Sequence, residues 1–290
     1  MDRRSFLGTV TAATLLSRKL GWAAETHKID KIGLELYTVR AQMKQDFEGT
    51  LAKVAEIGYR EVEFASYFDS TPKEIKAILA RHGLTAPAAH IDYATVTTNW
   101  PKTLDNANVI GHTYLICPSI PDDMLKKPDG WHQAAQAFNQ AGAVSKKSGI
   151  QFGYHNHHYE FVLTGGKVPY DILLEETDPN LVKMEMDLCW AIVGGADPVS
   201  YFDRYPGRFP LVHVKDMKMI PTPTGSEPYV PFERLHPQMT DVGSGIIDWK
   251  RIFESADKGG IKHYFVEHDE PKSPFETARN SFVYLQNLKF

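Results

Sequence analysis

Residues 153–161 read GYHNHHYEF, which puts three histidines, an asparagine and a glutamate within nine positions. Imidazole nitrogens and carboxylate oxygens at this density suit a divalent metal site, acid–base catalysis or a solvated polar loop. Three other stretches carry the same donor types: VKMEMD at 182–187, LVHVKD at 211–216 and YFVEHDE at 264–270. A single histidine of this kind is ordinarily a hydrogen-bonded packing residue, so chemistry requires that several of these stretches meet.

The alternation of the chain says how they could meet. From residue 30 onward, short apolar runs alternate with longer amphipathic ones, without a linker or charge block. Eight strands are predicted: KIGLEL (31–36), REVEFA (60–65), TAPAAHI (85–91), TYLIC (113–117), IQFGYHN (150–156), VKMEMD (182–187), PLVHVK (210–215) and HYFVEH (263–268). Helices are predicted at 47–58, 71–83, 131–149, 247–260 and 273–288. Thr71-Pro72 with Glu74 reads as a capping box, and Gly58, Gly83 and Gly149 stand where helices should stop. Eight strand–helix units predict an α/β fold, a single-domain (β/α)8 TIM barrel over residues 28–290. A doubly wound sheet would call for a Gly-rich phosphate loop after the first strand, where LELYTVRAQ stands instead.

In a parallel barrel alternate strand residues point inward, and functional groups gather at the C-terminal strand ends. VKMEMD then turns Val182, Met184 and Met186 to the helices and Lys183, Glu185 and Asp187 to the lumen. Lys183 and Glu185 are either a neutralised pair deep in the barrel or direct substrate contacts. The same parity groups Leu211 with His213 and Lys215, Phe265 with Glu267 and Asp269, and Gly153 with His155 and His157, and leaves His90 near the end of the third strand. His155, Asp187, His213 and Glu267 come from strands five to eight, so four strand ends deliver nitrogen and oxygen donors to one point. Such a quartet suits a divalent ion, with Mn²⁺, Co²⁺, Mg²⁺ and Zn²⁺ all compatible.

YHNHHYEF, EMDLCW followed by GGADPVSYFDRYPGRF, LVHVKD, DVGSGIIDWKRIF and YFVEHDE resemble the xylose isomerase-like TIM-barrel superfamily, of the sugar phosphate isomerase/epimerase kind. The resemblance runs from about residue 30 to the C-terminus and is strongest in the second half. In that family a divalent metal is held by Glu, Asp, His and Glu from strands five to eight. Carried over, it implies Asp187, His213 and Glu267 as ligands, with His155 in place of the first glutamate, a departure from the usual two-glutamate proton relay.

On this reading His155 is a ligand, His157 a substrate or ligand-supporting contact, and Asn156 and His158 face the other way. Glu267 serves as ligand and base, and Glu160 either reaches back as a second acid/base or solvates its loop. Lys215 is placed against a sugar oxygen, with His90, Glu35 and Trp190 at the rim; Trp190 could equally pack beneath the strand-six loop. The implied activity is isomerisation or epimerisation of a sugar through an enediolate, with elimination of the aglycone from a keto-glycoside as the alternative. A sugar-binding protein without turnover, or a metal-dependent DNA-repair endonuclease on the same barrel, are the competing classes.

The chain of 290 residues, 42% hydrophobic, supports one large core, and its net charge of -4 gives no electrostatic case for nucleic acid or an anionic membrane surface. The expected partner is a small carbohydrate. Cys117 and Cys189 are too few for a disulfide framework. MDRRSFLGTVTAATLLSRKLGWAAE reads as a twin-arginine export signal over residues 1–23, cleaved after Ala23 to give a periplasmic protein that no longer carries a membrane-directed segment. Export argues for a non-phosphorylated substrate.

Overall fold

The computed structural model describes residues 27–290; the predicted export signal lies outside the described residues. Eight parallel strands close into a barrel: β1 Ile32–Glu35, β2 Glu61–Phe64, β3 Thr85–His90, β4 Tyr114–Cys117, β5 Gln151–His155, β6 Val182–Asp187, β7 Leu211–Val214 and β8 His263–Val266. Each pairs with its sequence neighbours, and β8 pairs back onto β1. All eight predicted strands are present.

Strand parity divides the core. Leu34, Val62, Phe152, Met184, Met186, Val212 and Val266 point outward and pack under the helices. The inward residues form layers along the barrel axis. At the bottom His263 Nδ1 meets Glu61 Oε2 at 2.8 Å. Above it Ala88, Ile116, Leu211 and Phe265 make an apolar plug. Gly33 opposite is required there, because a Cβ at that position would run into the Phe265 ring. Over the plug come Glu63, Glu185 and His213, and at the mouth Asp187, Lys215 and Glu267. The charged groups of the mouth thus lie above the apolar layer, and the Glu61–His263 pair lies below it.

The helix signals act as expected at 72–81: Glu74 N–H donates to Thr71 Oγ1 at 3.3 Å, and Thr71 N–H donates to Glu74 Oε2 at 2.8 Å. Gly58, Gly83 and Gly149 all have positive φ at helix ends. The helix predicted over 247–260 is instead two short ones, Trp249–Phe253 and Ala256–Gly259. After β7 the chain leaves the barrel in a two-residue antiparallel ribbon, Asp216–Met217 with Met239–Thr240. The Asp216 carboxylate fixes this excursion, accepting from Gly243 N–H at 2.9 Å and from the Trp249 indole at 3.0 Å. Cys117 and Cys189 are separate buried thiols. No helix among the described residues is long and apolar enough to cross a membrane.

Candidate metal and active site

The C-terminal mouth of the barrel opens into a cavity of about 410 Å³ whose walls include His90, His155, His157, Lys215, Glu267 and Asp269. Another depression, of about 360 Å³, lies beside the helix Pro274–Asn287 and holds none of these donors.

β6 and β7 are in register at Asp187 and His213, and Glu267 follows β8 at once, so three strand ends meet. Asp187, His213 and Glu267 each offer a ligand atom, all within 4.8 Å of one another. Asp187 Oδ1 caps the next helix by accepting from Trp190 N–H at 2.8 Å. Its Oδ2 has no hydrogen bond of good geometry among the described residues, although the Lys215 ammonium stands 3.1 Å away. Lys215 also reaches Glu267 Oε2 and Asp269 Oδ1, both at 2.8 Å.

His155 does not join that trio. Its Nδ1 is 3.2 Å from Glu185 Oε2, and its close group is His90, Glu185 and His213. His213 belongs to both groups, with Nδ1 2.6 Å from Glu267 Oε2 and Nε2 2.7 Å from Glu63 Oε2. Burial disfavours an imidazolium there, but Glu185 and Glu267 outweigh it and hold the His213 pKa well above its ordinary value. His155 is the opposite case: burial, then the neighbouring His213, keep it down at about 3, a neutral imidazole.

The other predicted residues are placed as follows. His90 lines the cavity and binds Glu185 at 2.8 Å. His157 lines it too, stacked on Tyr159 and edge-on to Phe232. Glu35 is fully buried in the lumen, not at the rim, and accepts from Tyr37 N–H at 3.0 Å. Trp190 is fully buried beneath Lys215, with the ammonium 5.2 Å from its ring, because the turn that caps on Asp187 directs its side chain under the mouth.

Glu160 is turned away from the cavity. It accepts from the Tyr154 hydroxyl at 2.7 Å and from His157 N–H at 3.0 Å, on the helix-facing side of β5. There it pins the histidine loop. His158 Nε2–H donates to Val230 O at 2.8 Å, and Asn156 bridges to the Asp187 backbone, so both face away from the cavity. Lys183 and Glu185 do not pair: Lys183 Nζ donates to Gly207 O at 2.9 Å at the lower rim, while Glu185 meets the three histidines. Parity put both in the lumen, but not at the same depth.

Residues not singled out as site residues complete the site. Glu63 lies in the lumen, and its signal was the alternation of Glu61 and Glu63 with Val62 and Phe64 in β2. Tyr37, Phe232 and His236 line the cavity from helical turns of three or four residues, too short to carry such a periodicity.

The mouth suits a divalent cation. Glu35, Glu63, Glu185, Asp187, Glu267 and Asp269 are all buried around it, against one lysine, Lys215, and the His213 ring, which its carboxylate neighbours pull toward the charged form. Buried carboxylates in such excess require cations or protons. Burial pushes Glu63 up to about 8, with Glu185 adding to the rise.

Comparison with known proteins agrees with the architecture. The family model described as xylose isomerase-like TIM barrel matches residues 51–288. An inosose dehydratase of Lacticaseibacillus casei is 26% identical over 268 residues, 82% of this chain and 88% of that protein. A crystal structure of a sugar phosphate isomerase/epimerase from Parabacteroides distasonis superposes with a TM-score of 0.72 at 27% identity, covering 91% of this chain and 95% of that one. A zinc-bound structure of the IOLI protein has the same fold, with a TM-score of 0.67 at 13% identity, over 88% of this chain and 97% of that one.

Proposed function

This chain belongs to the xylose isomerase-like TIM-barrel family, and from that premise we propose that it is a divalent-metal-dependent carbon–oxygen lyase acting on a keto-sugar or keto-glycoside. The reaction removes a proton from the carbon beside the keto group and expels water or the aglycone from the next carbon. The observation that carries this reading is that the imidazoles of His155 and His157 share the cavity with Glu267, while the other carboxylate on its wall, Asp269, is held by Lys215 at 2.8 Å. Isomerisation by proton shuttling is served by two like carboxylates, whereas elimination needs unlike groups, a base for the proton and a donor for the departing oxygen.

Asp187, His213 and Glu267 are the residues to hold the ion, which when bound supplies a Lewis acid for the keto oxygen. Glu267 takes the proton. The C–H electron pair becomes a carbon–carbon double bond, the carbon–oxygen bond to the leaving group breaks, and the proton taken by Glu267 passes by way of water to the leaving oxygen. Lys215 offsets the negative charge that moves onto the keto oxygen. His157, whose Nδ1 has no partner among the described residues, is available to the leaving oxygen. A phosphorylated substrate is disfavoured by the crowd of carboxylates, and the protein acts in the periplasm if residues 1–23 direct export. The dehydratase relative and the zinc-bound neighbour support this assignment.

Isomerisation or epimerisation on the same site is the second reading, favoured by the Parabacteroides structure. Both begin with the same proton removal. Incubation of the metal-loaded protein with keto-glycosides and keto-polyols in D₂O, followed by NMR, separates them. Release of aglycone or water with an unsaturated product supports the lyase. Deuterium entering an intact sugar skeleton without elimination overturns it in favour of the isomerase.

A further inference from the structure

Beneath the mouth, the lumen holds a second convergence of donors. His90 Nε2 lies 2.8 Å from Glu185 Oε2, and His155 Nδ1 and His213 Nε2 each lie 3.2 Å from the same oxygen. One ligand atom from each of the four residues falls within 4.8 Å of the others. A tetrahedral ion with bonds of about 2.0–2.1 Å has donor–donor edges of about 3.3 Å, close to these spacings. Three imidazoles and one carboxylate are also the donor types that zinc and cobalt take.

A second observation points to the same place. Glu185 Oε1, Glu63 Oε1 and Glu35 Oε2 are buried without a hydrogen-bond partner among the described residues. Three such oxygens in one layer are costly unless a cation or protons compensate them. The mouth already has the Lys215 ammonium between its carboxylates, whereas among the described residues the lumen layer has no lysine or arginine, and His213 is the imidazole there that its neighbours hold toward the charged form.

We propose that His90, His155, Glu185 and His213 form a second divalent-cation site in the barrel lumen, below the ion held by Asp187, His213 and Glu267. His213 serves both as a bridging imidazolate, its two N–H protons released as the ions bind, because its Nε2 faces Glu185 and its Nδ1 faces Glu267. His155, which stands outside the mouth trio, belongs to the lumen ion. The lumen site stands on its own geometry and does not depend on the reaction at the mouth.

The test is metal stoichiometry. Full-length protein stripped with chelator is titrated with Co²⁺, then desalted for elemental analysis, with visible absorption recorded as the signature of tetrahedral cobalt. Wild type should retain two equivalents per chain. Glu185→Gln and His90→Asn should each lose one equivalent together with the tetrahedral absorption, and Asp187→Asn should lose one and keep that absorption. His90 is at the cavity edge, so its variant remains informative if Glu185→Gln does not fold. One equivalent in wild type that both Glu185→Gln and His90→Asn retain overturns the lumen site. One equivalent lost in those two variants but kept in Asp187→Asn supports the lumen site and overturns the mouth assignment, so the two readings fail separately.

Discussion

The Lys215 ammonium stands 2.8 Å from Glu267 Oε2, so the group proposed to take the substrate proton is already paired with a buried cation. Burial pushes Glu267 up, but Lys215 and then His213 outweigh it and hold the carboxyl well below its ordinary range. Burial likewise disfavours the charged lysine, and Asp187, Asp269 and Glu267 together hold it well above its ordinary value. Each group keeps the other ionised.

Lys215→Met should therefore act in two directions. Loss of the ammonium leaves Asp187, Glu267 and Asp269 without their shared partner, and the metal-free variant should lose about 3–5 kcal/mol of stability. Metal binding should tighten by at least about tenfold, or about 1.4 kcal/mol, because the ammonium no longer competes between the carboxylates. Calorimetric titration and urea unfolding read the two effects. Unchanged metal affinity would mean that Lys215 does not compete with the ion.

Glu267→Gln retains an oxygen donor and the shape of the side chain while removing the base. Turnover should fall on the order of 10² to 10⁴, with substrate binding affected less. Exchange of the substrate proton in D₂O is the direct measurement. Wild-type exchange in a variant that still binds metal would shift the base to His155 or His157.

The barrel was legible because its strands obey a simple rule: inward residues at every second position, with polar ones toward the C-terminal ends. Parity identified the inward faces of β6, β7 and β8. It could not give height along the axis, which is why Lys183 looked like a partner for Glu185 although it reaches the bottom rim and Glu185 meets His90, His155 and His213. Residues beyond strand ends follow loop geometry instead. Trp190 goes under the mouth because its backbone caps on Asp187, and Glu160 folds back onto Tyr154. Phe232 and His236 reach the cavity from the excursion after β7, whose course depends on the Asp216 anchor rather than on any pattern within the excursion.

Export is the prediction tied to the N-terminus. Arg3 and Arg4 precede Phe6-Leu7 and a weakly apolar run that ends on small residues. Replacing both arginines with lysine should leave the precursor in the cytoplasm. Fractionation with an antibody to the barrel provides the readout, and normal delivery of the double variant to the periplasm would remove the twin-arginine assignment.

Glu160 gives a pH dependence separate from catalysis. Burial raises its pKa from 4.5 to about 8, against hydrogen bonds from Tyr154 and His157 that favour the ionised form. Because the folded value is raised, the stability contributed by the protonated carboxyl is fully present below pH 4.5 and is lost as pH rises toward about 8. At about 1.4 kcal/mol per pH unit the loss over that window is on the order of a few kcal/mol. Glutamine keeps a neutral side chain with an oxygen to accept from His157 N–H, and the Tyr154 hydroxyl can reverse its role toward the amide. Glu160→Gln should therefore gain on wild type between pH 5 and pH 8 in urea unfolding, while changing turnover little, since Glu160 does not border the cavity. A stability difference that stays constant with pH would show that Glu160 does not carry the titration, and a fall in turnover matching that of Glu267→Gln would return it to the acid–base chemistry.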